Sequence, residues 1–291
     1  TGIFAGTVDF GAGNVTSVGG FDVFVTKLNS SGAHQWTTTF GGTSADNGYG
    51  VAVDGSGNVY VTGTFMGTVN FGAGNVTSAG SNDVFVTKLN SSGAHQWTTT
   101  FGDTSTDAGL GVAVDGSGNV YATGYFVGTV DFGDGDVTSN GSWDGFLLKL
   151  NSAGAHQWTT TFGGTGNDNS YGLAVDGSGN VYITGVFEGT VDFGAGDVTS
   201  NGHGDAFVTK RNSSGAHQWT NTLGGTASEV GEGVAVDGSG NVYAAGRFEN
   251  TVDFGAGDVT SAGSSDGFVV KLNSAGQAVV APGGGGGGGG G

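Results

Sequence analysis

The sequence contains no cysteine, one proline and few basic residues. The lack of cysteine excludes disulfides, thiol catalysis and thiolate metal sites. Seven Lys and Arg against 25 Asp and Glu give a formal net charge of −18. This charge repels phosphate backbones and anionic membrane surfaces, so we expect no nucleic-acid partner and no membrane insertion. No apolar run approaches the roughly 20 residues that span a bilayer, and residues 1–4 lack the basic start of a secretory signal, so we expect such a signal to be absent from this chain.

Glycine and aromatic residues, in contrast, are abundant. Glycine supplies 65 of 291 residues, and apolar residues make up 36%, with 19 Phe and 5 Trp. This apolar content is too high for a disordered polymer. We therefore expect a folded protein whose glycines serve tight turns, because a residue without Cβ adopts positive φ at little steric cost.

A tandem repeat of 61 residues dominates the sequence. The tripeptide His-Gln-Trp and the turn sequence Asp-Gly-Ser-Gly-Asn each recur four times at this spacing, without insertion or deletion. The repeat predicts one domain over residues 1–282. Its units are 1–61, 62–122, 123–183, 184–244 and a partial unit, 245–282. The polyglycine tail at 283–291 is interpreted as a linker or as a placeholder for residues of unknown identity.

Each unit contains four stretches typical of β-strands, which we call strands a to d. In one unit they are residues 51–54, 58–65, 83–90 and 95–101, all rich in β-branched and aromatic residues. Short Gly-rich turns join a to b and c to d, which predicts two hairpins. Residues 66–82, between b and c, are predicted to form a long loop.

The repeat predicts an all-β fold, a β-propeller of four-stranded blades. In that arrangement strand a lines the central channel and strand d lies at the rim. A β-solenoid is the alternative, but its coils are usually shorter and carry fewer tight hairpins. We therefore favour the propeller.

The repeated strings also resemble a known family. Residues 54–63 (Asp-Gly-Ser-Gly-Asn-Val-Tyr-Val-Thr-Gly), residues 83–93 (Asp-Val-Phe-Val-Thr-Lys-Leu-Asn-Ser-Ser-Gly) and the pattern Trp-x-x-x-Phe-Gly-Gly are similar to the SBBP-type bacterial β-propeller repeat. The resemblance implies a propeller found in large secreted or cell-surface bacterial proteins, often with adhesive roles. It suggests seven blades, whereas this chain supplies fewer.

The strand count predicts five blades that the assigned residues do not complete. Strand c occurs five times, whereas the a–b hairpin occurs four times. A closed ring needs one more a–b hairpin to complete the blade that begins at the N-terminus. Nine glycines cannot supply it, because they have no side chains to bury. We therefore expect the closing strands to be missing or unassigned.

Departures from the repeat indicate a binding surface. They cluster before strand c and in the d–a loops, two connections that emerge on the same face of a propeller. Aromatic rings beside carboxylates suit a glycan, although mutational drift of exposed loops produces the same pattern. The predicted ligand-binding residues are Phe21, Asp22, Tyr49, Asn82, Asp83, Trp143, Asp144, Tyr171, His203, Asp205 and Asp266.

Other residue patterns are interpreted as structural. The Asp54 turn lacks the ligand order of a calcium loop, so we expect its carboxylate to accept turn N–H groups. One His per blade cannot share a zinc ion with another. We therefore predict no catalytic residue, no resident metal and no cofactor, and leave calcium open at carboxylate-rich loops such as 131–136.

These observations predict a non-enzymatic recognition or adhesion module, secreted or at the cell surface. Its partner is expected to be a glycan or another cell-surface ligand, bound at several repeated sites at once. A structural building block of an extracellular assembly, in contact with its own copies or other subunits, is the alternative. A glycan-active enzyme using Asp144 or His203 is the third and least favoured hypothesis, since near-identical blades give their carboxylates near-identical surroundings.

Overall fold

The chain is all-β throughout the residues that its computed structural model describes, 1–255 and 257–279. This confirms the all-β part of the predicted fold class. No membrane-spanning helix is found among these residues. The polyglycine tail predicted at 283–291 lies outside the described residues.

The strands follow one another in a succession that repeats along the chain. The first are β1 (Gly2–Phe4), β2 (Thr7–Asp9), β3 (Asn14–Thr16), β4 (Asp22–Leu28), β5 (His34–Phe40), β6 (Asn47–Val53), β7 (Val59–Asn70), β8 (Asn75–Leu89) and β9 (His95–Phe101). They are followed by β10 (Ala108–Val114), β11 (Val120–Phe126), β12 (Thr129–Asp131), β13 (Asp136–Thr138), β14 (Asp144–Leu150), β15 (His156–Phe162), β16 (Asn169–Val175), β17 (Val181–Phe187), β18 (Thr190–Asp192) and β19 (Asp197–Thr199). The last are β20 (Asp205–Arg211), β21 (His217–Leu223), β22 (Val230–Val236), β23 (Val242–Phe248), β24 (Thr251–Asp253), β25 (Asp258–Thr260) and β26 (Asp266–Leu272).

These strands form five larger antiparallel sheets, which we number in chain order. The second, third and fourth sheets have four strands each, in the orders β6-β7-β8-β9, β10-β11-β14-β15 and β16-β17-β20-β21. The first sheet (β1-β4-β5) and the fifth (β22-β23-β26) have three. This order confirms the predicted succession of strands a to d. The second sheet runs from residue 47 to residue 101, so the sheets are out of phase with units counted from residue 1.

The connection between strands b and c differs from the predicted loop. Residues 66–82 form a two-stranded ribbon, in which β7 and β8 continue beyond the sheet and pair Thr68 with Thr77. Asn70 at the ribbon tip accepts the N–H groups of glycines with positive φ. Equivalent ribbons are β2–β3, β12–β13, β18–β19 and β24–β25. Each ribbon strand contains too few alternating apolar and polar residues for the sequence to distinguish the ribbon from a loop.

The ribbon closes one side of the sheet core. Phe71, just after the ribbon strand, packs against Phe65 and Phe85 with ring centroids 5.5 and 5.0 Å away. All three rings are buried, and Val69 beside them is 1% exposed. The ribbon therefore holds a fixed position over the sheet, because its aromatic residue belongs to the same hydrophobic cluster.

Strand a is the innermost strand of its sheet, as predicted. β6, β10, β16 and β22 lie side by side, and each approaches the next at a glycine. A Cβ added to Gly111 of β10 would lie 2.9 Å from the carbonyl oxygen of Tyr171 in β16. Glycine is required at this position because the two inner strands come too close for a side chain.

Closure of a five-bladed ring stays a prediction. Within the described ranges, no strand pairing or hydrogen bond joins the first sheet to the fifth. The first sheet has no strand in the inner position, and the fifth has only an isolated bridge, Leu272–Ala278, where an outer strand would begin.

Successive sheets are joined by a contact that we call the tryptophan latch. The Trp97 ring of the second sheet lies on Gly154 in the c–d turn of the third, and its Nε1 donates to the carbonyl oxygen of Ser152 at 3.1 Å. Gly154 has φ of 82°, and a Cβ there would lie 2.7 Å from the indole ring. The corresponding pairs are Trp36 with Ser91 at 3.1 Å, Trp158 with Ser213 at 3.4 Å and Trp219 with Ser274 at 3.1 Å.

The tryptophan latch predicts unequal effects of two matched substitutions. Gly93 and Gly32 both have positive φ, 84° and 81°, but a Cβ at Gly93 would meet Trp36 whereas one at Gly32 meets no described atom within 4 Å. Both Gly93→Ala and Gly32→Ala introduce backbone strain of about 1–2 kcal/mol. Gly93→Ala should lower the free energy of unfolding by about 1–3 kcal/mol more, because it also overpacks the indole. Urea unfolding of the two variants measures the difference, and equal losses would contradict the latch.

Candidate functional site

The connections that vary between repeats meet on one face, which we call the loop face. The N–H group of Asp46 in a d–a loop donates to the carbonyl oxygen of Phe21 before strand c, at 2.7 Å. The same hydrogen bond joins Asp107 to Asn82 at 2.8 Å, Asp168 to Trp143 at 2.7 Å and Glu229 to Gly204 at 2.8 Å. The predicted meeting of b–c and d–a connections on one face is therefore confirmed for these four junctions.

The aspartates at the start of strand c lie beneath this face. Asp22, Asp83, Asp144 and Asp205 are between 1% and 4% exposed, and each accepts an N–H from the b–c connection, as Asp144 does from Asn140 at 2.9 Å. Asp266 is half-buried and accepts the N–H of Ala262 at 2.7 Å. Because four of them are covered by backbone, we correct their assigned role from ligand contact to bracing of the loops.

A second row of buried acids fixes the d–a loops. Asp107 is 1% exposed and accepts N–H groups from Asp103 and Val127, both at 3.0 Å. Asp168 does the same with Gly164 and Glu188, at 2.7 and 3.0 Å. The other members of this row are Asp46 and Glu229, 1% and 0% exposed. Each acid accepts hydrogen bonds from the end of strand b or from the start of its own d–a loop. These hydrogen bonds give the loop face a rigid frame.

Burial raises the pKa of these acids. Burial is the largest cause of the shifts at Asp107 and Asp168, whose pKa rises to about 6, and neighbouring carboxylates add to it. Burial likewise raises the pKa of Asp83 and Asp144, and one carboxylate oxygen of each makes no hydrogen bond. No group of three or more His, Asp or Glu within the described chain is arranged to hold a metal ion.

An axial pocket of about 360 Å³ opens where the inner strands converge. It is lined by Tyr49, Leu110, Tyr171, Val230, Glu232 and Arg247. Four of these residues, at 49, 110, 171 and 232, occupy the same position of strand a, so the repeat places them around one axis. Position 49 is 52% exposed and offers its ring to solvent.

The chemistry of the axial pocket is mixed. Glu232 and Arg247 form an ion pair with a hydrogen bond at one wall. The Tyr171 phenol, whose pKa burial raises further, offers an O–H donor. The pocket therefore presents aromatic faces beside hydrogen-bond donors and acceptors, a combination able to orient a polar ligand.

The remaining predicted residues, Phe21, Asn82, Trp143 and His203, lie on the loop face outside this pocket. Trp143 is 38% exposed and stacks on Tyr125, with ring centroids 4.9 Å apart. Phe21 is 47% exposed, His203 is exposed, and Asn82 is half-buried. The structure thus brings two predicted residues, Tyr49 and Tyr171, into one pocket, and the others lie outside it.

Sequence reasoning did not predict the other four pocket residues as ligand-binding. Three of them lie on strand a (Leu110, Val230 and Glu232), and Arg247 lies on strand b. Arg247 departs from the repeat, since Ile3, Thr64, Tyr125 and Val186 occupy its position in other units. This departure from the repeat could have marked Arg247 as a candidate ligand-binding residue. However, only the pairing of strand b with strand a shows that strand b reaches the axis.

A larger recess, of about 480 Å³, lies between the first and second sheets. Its lining includes Thr38, Phe71 and His95, which recur in other units. The His95 Nε2 is hydrogen-bonded with Thr98 at 3.0 Å, and the histidines of other sheets make the same contact with the threonine three residues on. This agrees with a structural role for the repeated histidines.

The Asp-Gly-Ser-Gly-Asn turns lie at the a–b hairpins and are held by their own aspartates. Asp54 Oδ1 accepts N–H groups from Ser56 and Asn58, both at 2.9 Å, and Oδ2 accepts from Asn58 and from the Tyr60 hydroxyl. Both oxygens therefore have protein donors. This confirms the turn interpretation of the motif.

Comparison with known proteins confirms the resemblance at two positions. The SBBP model, described as a β-propeller repeat, matches residues 35–64 and 157–186. Each match runs from an outer strand d through the d–a loop to strand b of the next sheet. Two segments of the chain therefore match the SBBP β-propeller repeat.

Two curated proteins and a solved structure are also similar. The regulatory protein FlaEY of Caulobacter vibrioides is 27% identical over 276 residues, covering 87% of this chain and 28% of that protein. An uncharacterized WD repeat-containing protein, L264, of Acanthamoeba polyphaga mimivirus is 25% identical over 256 residues, covering 72% and 18%. The chain thus spans less than a third of either relative. A protein of unknown function from Bacteroides caccae gives a TM-score of 0.34 at 12% identity, over 87% of both chains.

The buried acids predict an unusual pH dependence. Because folding raises the pKa of Asp107 and Asp168 from about 4 to about 6, the folded protein binds more protons than the unfolded chain between these values. The free energy of unfolding should fall as the pH rises through this window. In the double variant Asp107→Asn/Asp168→Asn the fall should be smaller, as urea unfolding between pH 4 and 7 would show.

The control for this experiment removes the same charge elsewhere. Asp131 and Asp192 lie at ribbon tips, where N–H groups of glycines lower their pKa and where the second unit already has Asn70. Asp131→Asn/Asp192→Asn should keep the full pH dependence between pH 4 and 6. An equal reduction in both double variants would assign the effect to net charge and contradict the prediction.

Proposed function

We propose that this chain, two segments of which match the SBBP β-propeller repeat, is a non-enzymatic recognition module that binds its partner through the loop face. The observation that carries this proposal is the axial pocket, where residues that break the repeat converge from strands of four sheets. Elsewhere the hairpins and sheet cores repeat nearly unchanged. Variation concentrated on a rigid frame is the arrangement of a binding surface.

A glycan, or a glycan-bearing cell-surface ligand, is the partner that this chemistry supports best. The exposed ring of Tyr49 and the ring of Tyr171 offer apolar faces, while Arg247 and Glu232 offer donors and acceptors for hydroxyl groups. Trp143 and Phe21 add exposed apolar surface elsewhere on the loop face. A polymer that contacts several such positions gains affinity from multivalency. A secreted or cell-surface location belongs to the same proposal and follows from the family resemblance.

The buried acids support the absence of catalysis in this proposal. The carboxylates of Asp144 and Asp168 are 2% and 0% exposed, and both accept backbone N–H groups. An acid–base catalyst needs access to a substrate proton, which these groups lack. His203 is exposed and donates its backbone N–H to Ala227, but no described acid forms an ion pair with it.

A protein ligand is the second candidate, and the names of the relatives favour it. One relative is named a WD repeat-containing protein and the other a regulatory protein, and each name is compatible with protein partners. An assembly of identical copies would be one form of such an interaction. Light scattering separates it from the leading proposal, because an assembly protein forms defined particles without added ligand.

Removal of both pocket tyrosines should weaken ligand binding without loss of fold. We expect Tyr49→Ala/Tyr171→Ala to weaken binding to glycans on an array, with calcium present, by roughly tenfold or more, because aromatic anchors dominate interface energies. The control is Gln96→Ala: Gln96 is exposed at the c–d hairpin, and its side-chain amide donates to the carbonyl oxygens of Ala94 and His95 in its own turn. Absence of glycan binding by the unmodified chain, or unchanged binding by the double variant, would refute the glycan proposal.

A further inference from the structure

The loop face of the third sheet carries a pair of stacked aromatic rings outside the axial pocket. Trp143, just before strand c, and Tyr125, on strand b, have ring centroids 4.9 Å apart and an interplanar angle of 25°. Trp143 is 38% exposed, so the pair presents apolar ring surface to solvent. The third sheet has four strands and follows and precedes other four-stranded sheets, so complete neighbours define this surface on both sides.

Both rings depart from the repeat, and they do so in the same unit. The residues equivalent to Trp143 are Phe21, Asn82, Gly204 and Ser265, and those equivalent to Tyr125 are Ile3, Thr64, Val186 and Arg247. No other unit of the sequence has aromatic rings at both positions. The stacked pair is therefore a property of this unit and not a consequence of the shared fold.

Tyr125 faces the inner strand that supplies Tyr171 to the axial pocket. It pairs with Gly145 of strand c, and a Cβ on Gly145 would lie 2.9 Å from the Oγ of Ser170. Because directly opposite residues project from the same side of a sheet, Tyr125 lies on the side that meets Ser170. Burial raises the pKa of Tyr125, and the nearby phenols of Tyr49 and Tyr171 raise it further. The stacked rings therefore adjoin the axial pocket.

One short segment of backbone connects the stacked rings to the pocket. The Trp143 carbonyl oxygen accepts the N–H of Asp168 at 2.7 Å, and Trp143 forms an isolated parallel bridge with Asn167. Tyr171 follows three residues after Asp168, as the extra residue of a β-bulge in the pairing of β16 with β17. A bulge directs its extra side chain away from the regular alternation of the strand. The segment thus fixes Trp143 at one end and presents Tyr171 to the pocket at the other.

Polar groups border the stacked rings. Glu188 Oε2 accepts the backbone N–H and the side-chain Nδ2 of Asn167, at 3.2 and 3.1 Å, which fixes this amide next to the Trp143 backbone. Both residues are half-buried, and both depart from the repeat. An aromatic ring edged by an amide and a carboxylate suits a sugar, because a sugar ring has an apolar face and hydroxyl groups at its rim.

We propose that Trp143 is the contact residue of a second sugar subsite next to the axial pocket, so that the ligand is an oligosaccharide of at least two units. This inference rests on the proposed function, because the first sugar unit occupies the axial pocket. The second unit stacks on the exposed part of the Trp143 ring, and its hydroxyl groups bond to Asn167 and Glu188. Tyr125 is a positioning residue: it stacks on the indole and holds its orientation, which lowers the entropic cost of binding.

Trp143 also supplies a local reporter of binding. The chain has five tryptophans, and the other four donate their Nε1 to the next c–d turn in tryptophan latches. A sugar stacked on Trp143 replaces water at this indole and leaves the latch indoles in place. Intrinsic fluorescence should therefore report on the second subsite through Trp143.

Titration with oligosaccharides of increasing length tests the second subsite, by calorimetry and by tryptophan fluorescence. The probes are the mono-, di- and tetrasaccharides of cellulose, chitin and mannan, together with the strongest glycan of the array and its own mono- and disaccharide fragments. In a series that binds, the disaccharide should bind roughly tenfold or more tightly than the monosaccharide and should change the fluorescence. Trp143→Asn, which introduces the residue found at Asn82, should remove both effects and leave the affinity for the monosaccharide unchanged.

Variants of Tyr125 separate positioning from stability. Tyr125→Val, which introduces the residue found at Val186, should reduce the gain in affinity with length without changing the affinity for the monosaccharide. Tyr125→Phe retains the ring and should keep the gain. Gln157→Ala is the control on the same sheet: Gln157 is exposed and donates to the His156 carbonyl oxygen at 2.8 Å, and every affinity should be unchanged.

The remaining outcomes overturn the proposal in different ways. Equal affinities for mono- and disaccharide in every series that binds, or a gain that persists in Trp143→Asn, would exclude the second subsite and leave the axial pocket as the binding site. Disaccharide binding that survives Tyr49→Ala/Tyr171→Ala would place the sugar on the stacked rings alone and contradict an extended site. Absence of binding by every probe and every glycan of the array would refute the proposed function, and the second subsite with it.

Discussion

The arrangement of the sheets depends on the tryptophan latch. An indole of each outer strand rests on a glycine of the next c–d turn and donates to a carbonyl oxygen there. A lysine beside the indole donates to the same carbonyl, as Lys27 and Trp36 do to Ser91. Both partners recur at fixed positions of the 61-residue repeat, so the same contact forms at each of the four junctions.

The loop face combines a fixed frame with variable side chains. Two buried carboxylates stabilise most junctions, one at the start of strand c and one in the d–a loop. Because burial removes water from these carboxylates, it raises their pKa. Hydrogen bonds from several backbone N–H groups offset this unfavourable desolvation. The frame leaves exposed positions such as Tyr49 and Trp143 free to differ between repeats. Diversity on this face is therefore compatible with nearly identical sheets.

The repeat was sufficient to predict the strand succession, the two hairpins and the face on which the connections meet. It could not reveal the burial of Asp83 or Asp144, because an aspartate under a loop and one on its surface follow the same glycine-rich segment. The ribbon at residues 66–82 escaped notice because its strands are short. Tyr49 and Tyr171 were predicted, but their shared pocket with Arg247 requires knowledge of how strand b pairs.

The near-identity of the tryptophan latches affects how this chain folds. Gly93, Gly154 and Gly215 present nearly identical surfaces to an incoming indole, so local fit does not distinguish one junction from another. Only the short d–a linkage raises the effective concentration of the correct neighbour. Refolding at high protein concentration therefore invites exchange of whole sheets between molecules, whereas vectorial synthesis, which delivers one sheet at a time, avoids it.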